Sequence, residues 1–144
     1  MKGEQFLNII LLAILVWMSL VDIRQKRIPN VALVCFLVAT VIALCLQHPV
    51  NLAEHCLSVF VVSGILLLVC RIRPGAFGAG DVKLMAIAGL LLGVWRNVNA
   101  FVIGVISAAV FCIIGMALKK IDRKTQIPFG PFLCLGIGLS LLFT

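Results

Sequence analysis

The sequence predicts an all-α integral membrane protein with six transmembrane helices. Of its 144 residues, 63% are hydrophobic and only 12% are charged, and the mean hydropathy is +1.25. A soluble domain of this size has too little interior to hide that much apolar surface. The apolar residues fall into six runs, 6–21, 31–46, 56–70, 82–95, 100–118 and 132–144, each closed by polar, Pro or Gly punctuation. The runs are continuous and do not alternate, which argues against a β-barrel. Together they make 1–144 a single membrane-embedded domain, with no stretch left for a separate soluble one.

The first run follows Lys2 and has the look of a signal peptide, but no small-residue cleavage site follows it. The next residues are Asp22-Ile-Arg-Gln-Lys-Arg27, so the run reads as a retained first helix. The second and third runs flank a loop carrying His48 and His55, which read as solvent-facing on the outer side. The fourth run, 82–95, has 14 residues and the sixth, 132–144, has 13. Helices that short reach about 20 Å, against roughly 30 Å of hydrocarbon. The Gly-rich loop before one and the Pro-rich loop before the other are therefore expected to dip into the membrane edge. Within the fourth run, Gly89-Leu-Leu-Leu-Gly93 has the spacing of a close helix-packing motif.

Basic residues orient the helices. Arg24, Lys26 and Arg27 lie in the first loop. Arg71, Arg73 and Lys83 lie in or just after the third, and Lys119, Lys120, Arg123 and Lys124 lie in the fifth. Only Lys2 and Arg96 fall on the other side, so loops one, three and five are expected in the cytoplasm. The formal net charge of +7 reads as topology and contact with anionic lipid. No aromatic-basic interleaving points to nucleic acid. Cys35, Cys45, Cys56, Cys70, Cys112 and Cys134 are scattered without a CxxC pair, so they offer no metal-ligand spacing and read as small buried apolar residues.

The chain has only five carboxylates. Glu4 and Glu54 fall on the predicted outer side, and Asp122 sits among Lys119, Lys120, Arg123 and Lys124 as a solvated charge partner. Asp22 closes the first run, and Asp81 closes the glycine-rich stretch Gly75-Ala-Phe-Gly-Ala-Gly-Asp81. Asp22 has a plain structural role open to it, pairing with Lys26 at i+4. So has Asp81, as a helix N-cap after a turn made by Gly78 and Gly80. Carboxylates beside membrane segments are costly and mark function. Two of them on one face suggest an aspartic protease working at the bilayer surface. On the same face, Ile127-Pro-Phe-Gly-Pro-Phe132 reads as a turn that breaks regular helix, or as a loop edge that hydrogen-bonds an extended peptide.

These three segments resemble the motifs of the type IV prepilin peptidases. Asp22-Ile-Arg-Gln-Lys-Arg-Ile-Pro-Asn30 looks like their first-aspartate motif, and Gly78-Ala-Gly-Asp-Val-Lys-Leu84 like their GxGD motif. Ile127-Pro-Phe-Gly-Pro-Phe-Leu133 is similar to the segment before their last helix. The resemblance implies a GxGD-type aspartic protease bundle in the bacterial inner membrane, with its active site toward the cytoplasm. Such an enzyme cuts the basic leader from prepilins or pseudopilins of pilus and type II secretion systems, without cofactor or metal. It further implies Asp22 and Asp81 as the catalytic pair, Gly78, Gly80 and Lys83 as loop-positioning residues, and Pro128, Phe129, Gly130 and Pro131 as substrate-loop candidates. Longer members carry a cytoplasmic insertion with paired CxxC motifs, associated with methylating the new pilin N-terminus. The stretch Asp22–Asn30 is too short for it and holds no cysteine, which implies a peptidase without a methyltransferase domain. Three other readings use the same residues: a small proton-coupled transporter, a non-catalytic membrane subunit of a secretion or pilus system, and a different GxGD protease. Against the last stands Asp22, placed at a segment boundary where that kind of enzyme has its first aspartate inside a helix.

Overall fold

A computed structural model describes residues 2–47, 51–122 and 126–143. His48, Arg123 and Lys124, and the side chains of Lys2 and Glu4, lie outside the described set. Six helices follow one another: α1 (Lys2–Gln25), α2 (Asn30–Gln47), α3 (Leu52–Ile72), α4 (Ala79–Leu92), α5 (Val94–Ala117) and α6 (Gly130–Leu142). Four of them, α1, α2, α3 and α5, are long and apolar enough to cross a membrane. The two short ones, α4 with 14 residues and α6 with 13, are about half buried along their length.

The short helices form the centre. α4 packs on α2, α3, α5 and α6, and α6 packs on α1, α4 and α5. The long helices turn large apolar side chains outward, among them Phe6 and Trp17 on α1, Val34 on α2, Phe60 on α3, and Ile106 and Ile113 on α5. Outward apolar side chains are what lipid requires, and lipid in turn removes the hydrophobic drive between helices. Close backbone packing and polar contacts must hold the bundle together. Both are present. A Cβ on Gly136 of α6 would run into the carbonyl oxygen of Ala100 on α5. The fully buried Asn97 of α5 donates from Nδ2 to the carbonyl of Met85 on α4 at 3.3 Å and, at 3.5 Å, to that of Ser58 on α3.

The fourth segment departs from its expected bounds. Its apolar run continues to Trp95, yet α4 ends at Leu92, and Trp95 and Arg96 lie in the first turn of α5. The whole connection is Gly93, with φ +79° and ψ 176°, a conformation closed to residues with a Cβ. His55 is not solvent-facing either. It is half-buried, and its Nδ1 donates to the carbonyl of Leu90 at 2.8 Å, satisfying one of the orphan acceptors at the end of α4. The cysteines are all free, but only Cys134 is buried; Cys35, Cys45 and Cys56 are exposed on the bundle surface. An apolar side chain facing lipid and one facing the core look alike in a sequence.

The Gly89–Gly93 spacing works as close packing at its first glycine. A Cβ on Gly89 would sit 2.7 Å from the Ser58 carbonyl oxygen and 2.8 Å from Asn97 Nδ2. Backbone cannot yield there as a side-chain tip can. Gly89→Ala should therefore lower stability by about 1–3 kcal/mol. Gly64→Ala, on α3 with nothing within 4 Å of its Cβ, should be neutral or slightly stabilising. Unfolding midpoints in detergent check the pair.

Candidate active site

The two aspartates come from different helices and meet at one end of the bundle. Asp22 lies inside the last turn of α1, which runs on to Gln25 before Lys26, at φ 53°, breaks it. Its carboxylate does not serve Lys26, whose side chain is exposed; it accepts a hydrogen bond from the backbone N–H of Gly130. Asp81 lies in the first turn of α4. It is not the N-cap. That position is Gly78, and Asp81 reaches back from the third helical residue to accept the Gly78 N–H at 3.1 Å. Each carboxylate thus sits at the N-terminus of one of the short central helices, where unpaired N–H groups and the helix dipole favour negative charge. Both are buried, with only 4% and 7% of their surfaces exposed, so these N–H partners offset a substantial desolvation cost.

The surrounding residues explain how the helices come together here. A Cβ on Gly130 would collide with the Asp22 carboxylate and lie 3.3 Å from Ile28 Cδ1. A Cβ on Gly80 would lie 2.9 Å from Ile28 Cβ. Ile28, in the short link between α1 and α2, is therefore clasped between the starts of α4 and α6, and only glycine leaves room on either side. The ring of Phe77, before α4, packs edge-on against Phe129, before α6, at 5.1 Å between centroids. Cys70 on α3 donates from Sγ to the Phe77 carbonyl at 3.6 Å. The charge of Asp22 acts on Asp81, and both carboxylates act on Cys134, which lies one turn along α6 from Gly130.

Several expectations change at this point. The Pro-Phe-Gly-Pro segment is not a free loop edge. Phe129 is the N-cap of α6, while Gly130 and Pro131 are its first residues, with proline where a helix tolerates it. Gly80 is helical and turned toward Ile28, and Gly78 has φ −73° and ψ 149°, open to any residue. Lys83 is exposed on α4, two residues and so about 200° around the helix from buried Asp81. Pro128 is half-buried in the link before α6. Residue-type reasoning passed over Ile28 and Cys134. The i, i+4 relation of Cys134 to Gly130 was the available signal for the second.

The site is also recessed. His55, in the first turn of α3, is level with Leu90 near the end of α4, and the two helices run antiparallel. Counting back to Asp81, α3 continues past it by about 10 Å before ending at Ile72. Most of the shortfall in α4 length therefore lies at the carboxylate end.

A membrane bundle with two buried carboxylates on the N-termini of its central helices is the class these features define. The chain belongs to the type IV leader peptidase family, which it matches over residues 9–113. That stretch takes in Asp22 and Asp81 and stops short of α6. The chain is 26% identical over 140 residues to a prepilin leader peptidase/N-methyltransferase of Bacillus subtilis (strain 168), covering 97% of this chain and 56% of that protein. It is 41% identical over 80 residues to a protein of the same description from Legionella pneumophila, covering 54% of this chain and 25% of that one. The chain thus spans about half the length, or less, of the curated relatives it matches. No solved structure matches it significantly.

The clasp on Ile28 makes a prediction about architecture. Gly80→Ala should destabilise the protein by about 1–3 kcal/mol. Ile28→Gly removes the Cβ that the new methyl meets; it is destabilising by itself, but in its presence Gly80→Ala should cost less. A double-mutant cycle on unfolding midpoints in detergent measures the coupling.

Proposed function

We propose that this protein is an aspartic endopeptidase of the inner membrane that removes the basic leader from prepilins or pseudopilins at the cytoplasmic face. The observation that carries the reading is the convergence of Asp22 and Asp81, remote in sequence, at one end of the bundle within a single scaffold of backbone donors. Two carboxylates that feel each other in a desolvated site share one proton, because ionising both is costly. The ionised member takes a proton from water, and the water attacks the scissile carbonyl. The protonated member polarises that carbonyl and then protonates the leaving amine. Peptide-bond hydrolysis balances with these two groups and water, and the scheme uses no metal, organic cofactor or covalent intermediate.

The connection between α1 and α2 uses only residues 26–29, and this supports a peptidase that acts without the methylation named for its relatives. A proton-coupled transporter would use the same carboxylates. The clustering of both at one end, in the motif-bearing turns, favours the peptidase, because a proton path needs relays through the middle of the bundle. The contrast with other GxGD proteases does not rest on Asp22 being outside a helix, since it lies in the last turn of α1. It rests on the family match.

With a prepilin as substrate, Asp22→Asn and Asp81→Asn should each nearly abolish leader removal while the protein still accumulates in the membrane, and Asp122→Asn should be close to silent. Gly130→Ala should lose on the order of 100-fold in rate by displacing Asp22. Gly78→Ala, whose Cβ would meet Asp81 Oδ2 at an ordinary 3.4 Å, should keep most activity. Robust cleavage by either asparagine variant would exclude the aspartic mechanism.

The charge asymmetry of the loops supports a cytoplasmic site. In a chain whose native cysteines are replaced, Lys120→Cys should resist a membrane-impermeant thiol reagent in intact cells, and Asn51→Cys should react. The reverse labelling pattern would put the carboxylates on the outer face.

A further inference from the structure

A groove of about 420 Å³ runs between α1 and α6 on the outside of the bundle. Val16, Ser19 and Leu20 line one wall, and Cys134, Leu135 and Gly138 the other. Among the described residues, no charged one lines it. Val16, Leu20 and Leu135 are largely exposed, so the groove faces lipid along the length of α6. Small residues at Ser19, Cys134 and Gly138 give it depth, and in lipid it is shape that selects a neighbouring helix.

One end of the groove comes within a helical turn of Asp22, although neither aspartate lines it. Ser19 and Leu20 lie in the turn before Asp22, and Pro131 follows Gly130, whose N–H Asp22 accepts. Cys134 belongs to both places: it lines the groove and lies in the field of both aspartates. A segment lying in the groove therefore ends beside the residues that border the two aspartates.

We propose that the groove seats the apolar membrane helix of the substrate, immediately following the leader, and delivers the scissile bond to the aspartates from the lipid side between α1 and α6. This rests on the peptidase reading above and adds the route and the docking surface. Continuity with the carboxylates selects the occupant. Exposed Arg24, Lys26 and Arg27 stand just beyond Asp22, so charge alone would also admit a lipid phosphate there. A substrate helix, unlike a lipid, brings a peptide carbonyl to the end of the groove at Ser19 and Pro131, beside the aspartates.

The test uses the full chain reconstituted in liposomes and two substrates: a full-length prepilin, and a soluble peptide spanning the leader junction without the apolar helix. Val16→Trp and Leu135→Trp fill the groove without touching the carboxylates. Each should raise KM for the full-length substrate at least tenfold with kcat little changed, and leave the soluble peptide unaffected. Ile113→Trp, on the lipid face of α5, should change neither. A photo-crosslinking residue at position 135 in the Asp81→Asn background should capture the full-length prepilin. Unchanged KM in the groove variants, equal losses on both substrates, or crosslinks only to lipid or to a second copy of the chain would each overturn the docking site. Failure of the peptidase reading is separate, and shows as normal cleavage by Asp22→Asn.

Discussion

The hydrogen bond from the Gly130 N–H to the Asp22 carboxylate is the contact on which the rest of the site depends. It joins the end of the first helix to the start of the last. A buried carboxylate in a membrane bundle needs compensation, and the usual device is a basic side chain. Here the compensation is backbone: a helix N-terminus supplies the donor and a favourable dipole without adding a competing charge. The solution has strict geometric requirements. α6 must begin at residue 130, that residue must lack a Cβ, and the chain before it must be held in place. Pro131 in the first turn, Phe129 packed on Phe77, and Ile28 against Gly130 meet those requirements.

The same arrangement recurs at Asp81, which accepts from Gly78 at the start of α4. This accounts for the shortness of the two central helices. A helix crossing the full hydrocarbon would put its N-terminal N–H groups at the headgroups. Because α4 stops short at this end, its N-terminus and its aspartate lie inside the outer ring of longer helices. The recess leaves both carboxylates buried, with 4% and 7% of their surfaces exposed. The glycines are what let the recess be filled by protein, since Gly80 and Gly130 admit Ile28 between the two helix starts.

Much of this was legible in the sequence, and the failures have a common cause. The six apolar segments are the six helices, because continuous hydrophobicity bounded by Gly, Pro and charge has few other solutions in lipid. Asp22, Asp81 and the Pro-Phe-Gly-Pro segment do gather at one end. What misled was local. Glycine and proline signal loops, yet a first helical turn tolerates both, since its N–H groups have no intrahelical partner. Gly78–Asp81 and Phe129–Pro131 therefore read as loops, although they are the start of helices. The break at Gly93 was hidden because Val94 and Trp95 continue the apolar run beyond it. The exposed cysteines and half-buried His55 were misplaced for another reason. In a membrane protein polarity separates interface from hydrocarbon, but it does not separate lipid-facing from core-facing positions.

The role of α6 bears on what counts as the functional unit. The family match ends at residue 113, and it already contains both aspartates. By composition that stretch looks sufficient. By geometry it is not, because the donor to Asp22 comes from residue 130, and Cys134 and Pro131 form the boundary between the carboxylates and the lipid-facing groove. Without α6, Asp22 would keep its place on α1 but lose its N–H partner and one wall of its surroundings. Such a carboxylate either becomes solvated or stays fixed as the protonated member, and in neither case does the proton pass between the two as the proposed mechanism needs. The last helix is thus chemically part of the site although it contributes no carboxylate to it.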